Sequence, residues 1–278
     1  MSWPRSHLLE IGEKSWCPSW LQRHEQLALT KFWSLRIPGW SHGSPATQAC
    51  AVMKKYLRDL SSYTIRDICA GAGGPSPVME LELNKQLERE GKEPVQFILS
   101  DLYPHQEEWA RISKKQGNIS YIAEPIDARA VPAAEIASKK ECRVLNLCFH
   151  HFSDEDAGSI LKNAIESADA LIIFEMSARD IWTCLFSFLM VFWTCLVTIV
   201  WYWYSPLHLF FTFIVPVAPI AIGVDGFISC LRTRTFEETR KLLDQPGLDL
   251  SGWTFHSGKR TVQFPFIILY YYVGIKSD

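Results

Sequence analysis

No Asp, Glu, Lys or Arg occurs between residues 181 and 224, where His208 alone adds an imidazole. Soluble helices seldom run this far without a charge on a solvated face, so a buried core subdomain is the lesser reading of the stretch. The chain lacks a charge excess as well. Its 28 basic and 30 acidic residues leave a net charge of -2 over 278 residues, which excludes the broad positive field expected of a nucleic-acid binder. The eight cysteines form no CxxC pair. No cleavable secretory pattern opens the chain, because Arg5, Glu10 and Glu13 interrupt every apolar run, so the soluble part is expected to be cytosolic and reduced. No internal repeat or low-complexity tract is present, and a hydrophobic content of 48% suffices for an ample core.

What is present alternates in period. Trp20, Leu21, Leu27, Leu29 and Phe32 in one segment, and Ala51, Val52, Tyr56, Leu57 and Leu60 in another, predict helices within an N-terminal unit of residues 1–62, separated by a loop over 39–45. Short apolar strands of the buried parallel type are expected at 63–68, 95–99, 119–123, 143–147 and 170–174. Helices are expected between them at 77–90 and 105–116, each closed by a glycine, and after Ser153, which with Asp156 has the form of a capping box. Residues 63–180 therefore read as the larger part of a doubly wound α/β sheet. Residues 225–278 add a helix capped by Thr235 and Glu238 and two closely joined strands, over 252–255 and 261–273, with their turn at Ser257-Gly258-Lys259; strands joined so closely must run antiparallel.

The charge-free stretch is long enough for two membrane spans, since a helix needs roughly 20 apolar residues to cross the hydrocarbon. Residues 181–204 cross comfortably; 207–224 barely do, and they carry Pro216 and Pro219. The pair reads as a hairpin with Trp203 and Tyr204 near its tip. Arg179 lies before it and Arg232, Arg234, Arg240 and Lys241 after it, so both ends are expected on the cytosolic side. A re-entrant or surface-lying hairpin is the other geometry, and the two prolines make the second arm the weaker one.

The chemistry concentrates in Asp67-Ile68-Cys69-Ala70-Gly71-Ala72-Gly73-Gly74-Pro75, reached directly from the first strand. Glycines permit positive φ and close approach of a ligand, and the following helix start favours a negative group. A dinucleotide site fits poorly. Ser76 stands at the third glycine position, and Asp101 lies further on than the acid expected about 20 residues past the turn. The motif D-x-C-A-G-x-G-G instead resembles motif I of class I S-adenosylmethionine-dependent methyltransferases, with Cys69 in place of the commonest first glycine. Asp101 and Leu102 after the second strand, Asp127 and Ala128 after the third, and the terminal strand pair follow in that family's order. The resemblance implies a Rossmann-like α/β sheet of seven strands interrupted by the hydrophobic hairpin, with S-adenosylmethionine as cofactor. It implies that Asp67 holds the amino end and that the backbone of Ala70, Gly71, Ala72 and Gly73 passes beneath the methionine portion. Asp101 accepts the ribose hydroxyls, with Leu102 beside it. Asp127 accepts from the adenine amino group and Ala128 donates to the ring. More loosely, the chain resembles a membrane-inserted methyltransferase group through residues 225–233.

Phe149-His150-His151-Phe152 follows the fourth strand, where a parallel sheet opens its crevice. A neutral histidine there can take a proton from a hydroxyl or amine acceptor, and His151 is the first candidate, ahead of His150. Both can equally be packing elements of the cofactor pocket. No metal site is expected, because adjacent histidines are expected to point apart. Glu175 and Arg179 either line the acceptor pocket or pair at the membrane boundary. The expected function is methylation of a lipophilic small molecule or lipid at a membrane, with the catalytic domain facing the cytosol. The competing class is a membrane-tethered scaffold that binds the cofactor without turnover; it would lack a route for an acceptor.

Overall fold

Strand β1 (Tyr63–Asp67) has every side chain buried, as expected of a strand flanked on both edges and covered on both faces. In the computed structural model, which describes residues 3–133, 139–264 and 266–277, β1 pairs in parallel with β2 (Gln96–Leu99) and β4 (Lys140–Asn146). With β3 (Ile119–Tyr121), β5 (Ala170–Glu175), β6 (Trp253–Gln263) and β7 (Ile267–Lys276) they form one seven-stranded sheet of order β3-β2-β1-β4-β5-β7-β6. Only β7 runs against its neighbours. The order reverses between β1 and β4, so a crevice opens there beyond the carboxyl ends of the strands. Registry sets Asp67 level with Leu99 on one side and Val144 on the other. The loops after β1, β2 and β4 consequently emerge together.

Helices α1 (Ser19–Trp33), α2 (Pro45–Tyr56), α3 (Ser76–Arg89), α4 (Gln106–Lys115) and α5 (Asp154–Ser167) surround the sheet. Ser44 and Ser153 cap α2 and α5 by accepting from backbone N–H groups. One apolar core joins α1, α2 and α3 to one face of the sheet, and a second joins α5 to the other. The inserted segment comprises α6 (Ile181–Trp201), α7 (Pro206–Leu209) running into a π-helical turn (Phe210–Ile214), and α8 (Val217–Arg232); α9 (Phe236–Lys241) follows with the expected capping box.

The structure corrects several expectations. The second arm is bent by 67° between Pro206–Ile214 and Val217–Arg232, at Pro216, which cannot donate to a helix hydrogen bond. Among the described residues, only Ile181–Trp201 is by itself long and apolar enough to cross a membrane. The second arm does not end at residue 224, because α8 continues to Arg232 and buries Asp225 and Arg232. Three of the arginines expected to flank a membrane are internal: Arg179 and Arg232 are buried, and the Arg234 side chain is 2% exposed. They pair with protein carboxylates. Finally, Ser257-Gly258-Lys259 is mid-strand, paired with Tyr272, Tyr271 and Tyr270. A side chain at Gly258 would collide with the Tyr271 ring, so that glycine serves close approach across the sheet. The chain reverses between Gln263 and Ile267, where Pro265, within the expected second strand, lies outside the described residues.

Candidate active site

The glycine turn takes the shape its composition requires. Gly71 and Gly73 have φ of +48° and +101°, a region side chains avoid. The buried Ala70 donates to the Ser100 carbonyl (3.1 Å) and accepts from the Gly73 N–H (2.7 Å). Trp109 of α4, fully buried, donates from Nε1 to the Gly71 carbonyl at 2.8 Å. Sequence reasoning missed this indole, which fixes the turn from outside its motif. Nothing lies within 4 Å of where a Gly71 side chain would begin. The turn is pinned behind and open in front, with half-exposed Ala72 at its bend.

Asp101 is turned toward this opening. One carboxylate oxygen accepts from the Gly71 N–H and the other from the Tyr103 N–H, both at 2.9 Å. Each oxygen keeps lone-pair capacity for a ribose hydroxyl. Leu102 is 44% exposed and lines the adjoining cavity. Asp67 is 1% exposed; its Oδ2 accepts from Ser76 Oγ (2.7 Å) and Asn146 Nδ2 (3.0 Å), while Oδ1 has no partner. Burial pushes its pKa up to about 6, against the pull of those two hydrogen bonds. An orphan buried acceptor beside a glycine turn fits the cationic amino end of S-adenosylmethionine. Asp127 is more engaged: it caps the 3₁₀ turn Ala128–Ala130 and makes a two-oxygen contact with the Arg129 guanidinium at 2.6 to 3.0 Å. The Arg129 hydrogen bonds outweigh burial and hold its pKa below the ordinary carboxylate range. Ala128 is buried behind it.

A cavity of 1390 Å³ is walled by the N-terminal segment, α1, α6, α8 and the loops after β2 and β4. Leu147, just after β4, has a φ of +54°, the one left-handed non-glycine among the described residues. The chain then makes a 3₁₀ turn (Phe149–His151) that delivers both histidines to the cavity. They do not point apart: their ring centroids are 4.2 Å from each other. Glu175, at the end of β5, accepts from the His150 backbone N–H (3.1 Å) and bonds His150 Nδ1 (2.8 Å). A carboxylate oxygen accepts, so Nδ1 donates, and in the neutral imidazole the lone pair is then on Nε2.

The N-terminal segment completes the cluster. Glu10 stands 3.8 Å from His150 Nε2 and 3.4 Å from His151 Nδ1, and Glu13 bonds His151 Nδ1 at 2.6 Å. Burial would raise Glu13, but hydrogen bonds from His151 and Arg232 outweigh it and hold its pKa at about 2. Glu10, more deeply buried, is raised. Arg232, at the end of α8, donates to the His151 carbonyl (2.7 Å) and the His150 carbonyl (3.2 Å) and pairs with Glu13 (2.9 Å) and Glu10 (3.4 Å). The ligand atoms of Glu10, His150 and His151 lie within 4.8 Å of one another, a spacing open to a metal ion. Arg232 supplies positive charge to the same carboxylates. Arg179 pairs with Glu238 and not with Glu175. No sequence signal marks Glu10 or Glu13 as site residues, and Arg232, within the 225–233 stretch, reads in the sequence only as a charge flanking the apolar run.

No protein-family description matches the sequence, and no curated protein does. Among solved structures, the plantazolicin methyltransferase BpumL in complex with SAH superposes with a TM-score of 0.53 at 13% identity, covering 96% of this chain and 93% of that one. BpumL with a triazolic desmethylPZN analog and SAH gives 0.51 at 13% identity, covering 93% and 97%. Magnesium protoporphyrin IX methyltransferase (ChlM) from Synechocystis PCC 6803 gives 0.48 at 10% identity, over 96% and 91%. With the seven-stranded order, the first two show that this chain has the fold of class I S-adenosylmethionine-dependent methyltransferases.

Proposed function

We propose that this protein is an S-adenosylmethionine-dependent methyltransferase acting on a lipophilic small molecule or lipid at a membrane. The observation that carries the reading is the cavity lined by Leu102, next in the chain to Asp101, with an oriented histidine in its wall. A non-catalytic scaffold needs no such space. Asp67, Gly71, Gly73 and Asp101 hold the cofactor, which supplies a methyl group already activated on a sulfonium. Asp127 and Ala128 border the adenine; Asp127 gives up part of its Arg129 contact to do so.

The chain's own part in the reaction is alignment, exclusion of water and proton removal. His150 is the better base of the two histidines, because Glu175 on a sheet strand fixes its tautomer and aims Nε2 away from that carboxylate. As an acceptor hydroxyl or amine becomes methylated, its proton passes to Nε2, and the Glu175 carboxylate stabilises the imidazolium. His151, tied to Glu13 and more exposed, holds the N-terminal segment over the site. Phe186, Met190 and Ile222 of the inserted helices form the apolar side of the cavity, which suits a bilayer-dissolved acceptor. Eight unpaired thiols fit a catalytic domain on the reducing cytosolic side.

The test is release of S-adenosylhomocysteine by the full-length protein with fractionated membrane lipids. Turnover with an apolar fraction supports the reading. Turnover confined to water-soluble fractions rejects the lipophilic acceptor, and cofactor binding without turnover on any fraction rejects the enzyme.

A further inference from the structure

The inserted helices are amphipathic in the reverse of the ordinary sense. On α6 the buried positions include Thr183, Cys184, Ser187, Thr194 and Thr198, and the exposed ones include Ile181, Leu185, Phe188, Phe192, Leu196 and Ile199. The exposed set recurs at three- and four-residue spacing, so it forms a single face. On α8, Val217, Ile220, Val224 and Phe227 are exposed in the same manner. The two helices approach closely through small residues: a side chain on Gly226 would touch Ser187, and one on Gly223 would strike Val191. A helix with small polar groups inside and large apolar groups outside fits hydrocarbon as its outer medium. A second copy of the chain fits less well, because protein interfaces commonly carry about one hydrogen bond per 100–200 Å² among their apolar contacts. The six outward residues of α6 named above offer none.

The same contacts decide how the hydrocarbon is met. Residues of α6 are buried from Thr183 to Thr198, nearly its whole length, and Met190 and Val197 belong to the main core of the sheet domain. α1 lies alongside: Phe32 packs on Phe186 and Trp193, Trp193 Nε1 donates to the Ala28 carbonyl (3.1 Å), and His24 packs on Tyr202. These contacts run from Phe186 to Tyr202, just past the end of α6, about 24 Å at 1.5 Å per residue. If α6 crossed the bilayer, α1 and its Arg23 and Lys31 would be carried to hydrocarbon depth, where charges are expensive. At one end of α6, Trp182 packs on Phe266 beside the β6–β7 turn, where Phe264 is 72% exposed. Trp203 and Tyr204, each 67% exposed, stand at the other. Trp and Tyr rings at both ends of α6 are suited to the boundary between lipid and water.

Resting on the membrane reading above, we infer that α6 and α8 form a monotopic anchor. Their shared outer face sinks into one leaflet, and the tip at residues 202–205 stays on the same side as the catalytic domain. The cavity wall and the leaflet are then opposite faces of the same two helices.

The test uses full-length protein synthesised with sealed phosphatidylcholine–phosphatidylglycerol vesicles. One specific protease site is placed in a flexible insertion after Tyr204 and a reference site after Asp278. The expected result is flotation with the vesicles and cleavage at both sites by added protease without detergent. A tip site protected until detergent is added, with the reference site cut, overturns the monotopic arrangement and leaves the membrane reading standing. Failure to float, in protein that binds S-adenosylmethionine by calorimetry, overturns the membrane reading itself. The double variant F192K/I199K tests the face: flotation should be lost with cofactor affinity unchanged, and undiminished flotation would show that another surface meets the lipid.

Discussion

Replacing Asp101 by Ala removes the one carboxylate that both braces the glycine turn and faces the opening above it. Two effects separate. In the free protein the Gly71 and Tyr103 N–H groups lose their acceptor; both are near solvent, so water takes over and the loss is about 1 kcal/mol per bond. In the complex the ribose hydroxyls lose a charged acceptor, worth about 1.5 to 3 kcal/mol. The dissociation constant for S-adenosylmethionine should therefore rise about 10- to 150-fold. D101N should be intermediate, because an amide keeps one acceptor oxygen and sets a donor against the other N–H. Calorimetric titration with S-adenosylmethionine and S-adenosylhomocysteine measures the effect, with thermal unfolding as the check on folding. An unchanged dissociation constant in a folded D101A protein would refute the placement of the sugar at this carboxylate.

Three further outcomes are expected. E175Q leaves one acceptor oxygen for the two His150 donors, the backbone N–H and Nδ1–H, and removes the negative charge that stabilises the imidazolium; turnover should fall by about 10²- to 10⁴-fold with cofactor affinity unchanged, and unaltered turnover would remove His150 as the base. R232M leaves Glu10 and Glu13 without their cation and the histidine turn without its donor. It should lower stability by about 3 to 5 kcal/mol in denaturant titration, and a loss below 1 kcal/mol would contradict the interior role of this arginine. Asp67, raised in the folded state to about 6 from 3.8, favours the fold fully below its unfolded pKa and loses that contribution as pH rises through 6. The cofactor-free protein should therefore lose stability relative to D67N between about pH 4 and 7, by about 3 kcal/mol in total; a difference independent of pH would refute it.

The parts of the site legible in the sequence are those imposed by the backbone. Positive φ at Gly71 and Gly73 can be met cheaply only by glycine, and Asp101 follows a strand whose apolar run ends visibly. The choice between His150 and His151 was not legible, because it depends on Glu175, 25 positions away, and Glu13, 138 positions away. Arg179, Arg232 and Arg234 beside an apolar stretch look like membrane-flanking charges. Their carboxylate partners come from α9, the N-terminal segment and α5, which no local pattern connects to them. Gly258 misled for a related reason: glycine permits both a turn and a close approach, and only Tyr271 across the sheet decides between them. Composition marked the helical insertion correctly, but the burial of one side of α6 against α1 is a tertiary fact.

The central claim is methyl transfer at this cavity, and the most direct measurement uses S-adenosylmethionine bearing a deuterated methyl group. Full-length protein and the E175Q variant are incubated with a total membrane-lipid extract, followed by mass spectrometry of the organic phase. The account predicts a lipophilic species shifted by one labelled methyl group, abundant with the unaltered protein and nearly absent with E175Q. Saturated cofactor binding with no labelled species in any fraction would contradict it.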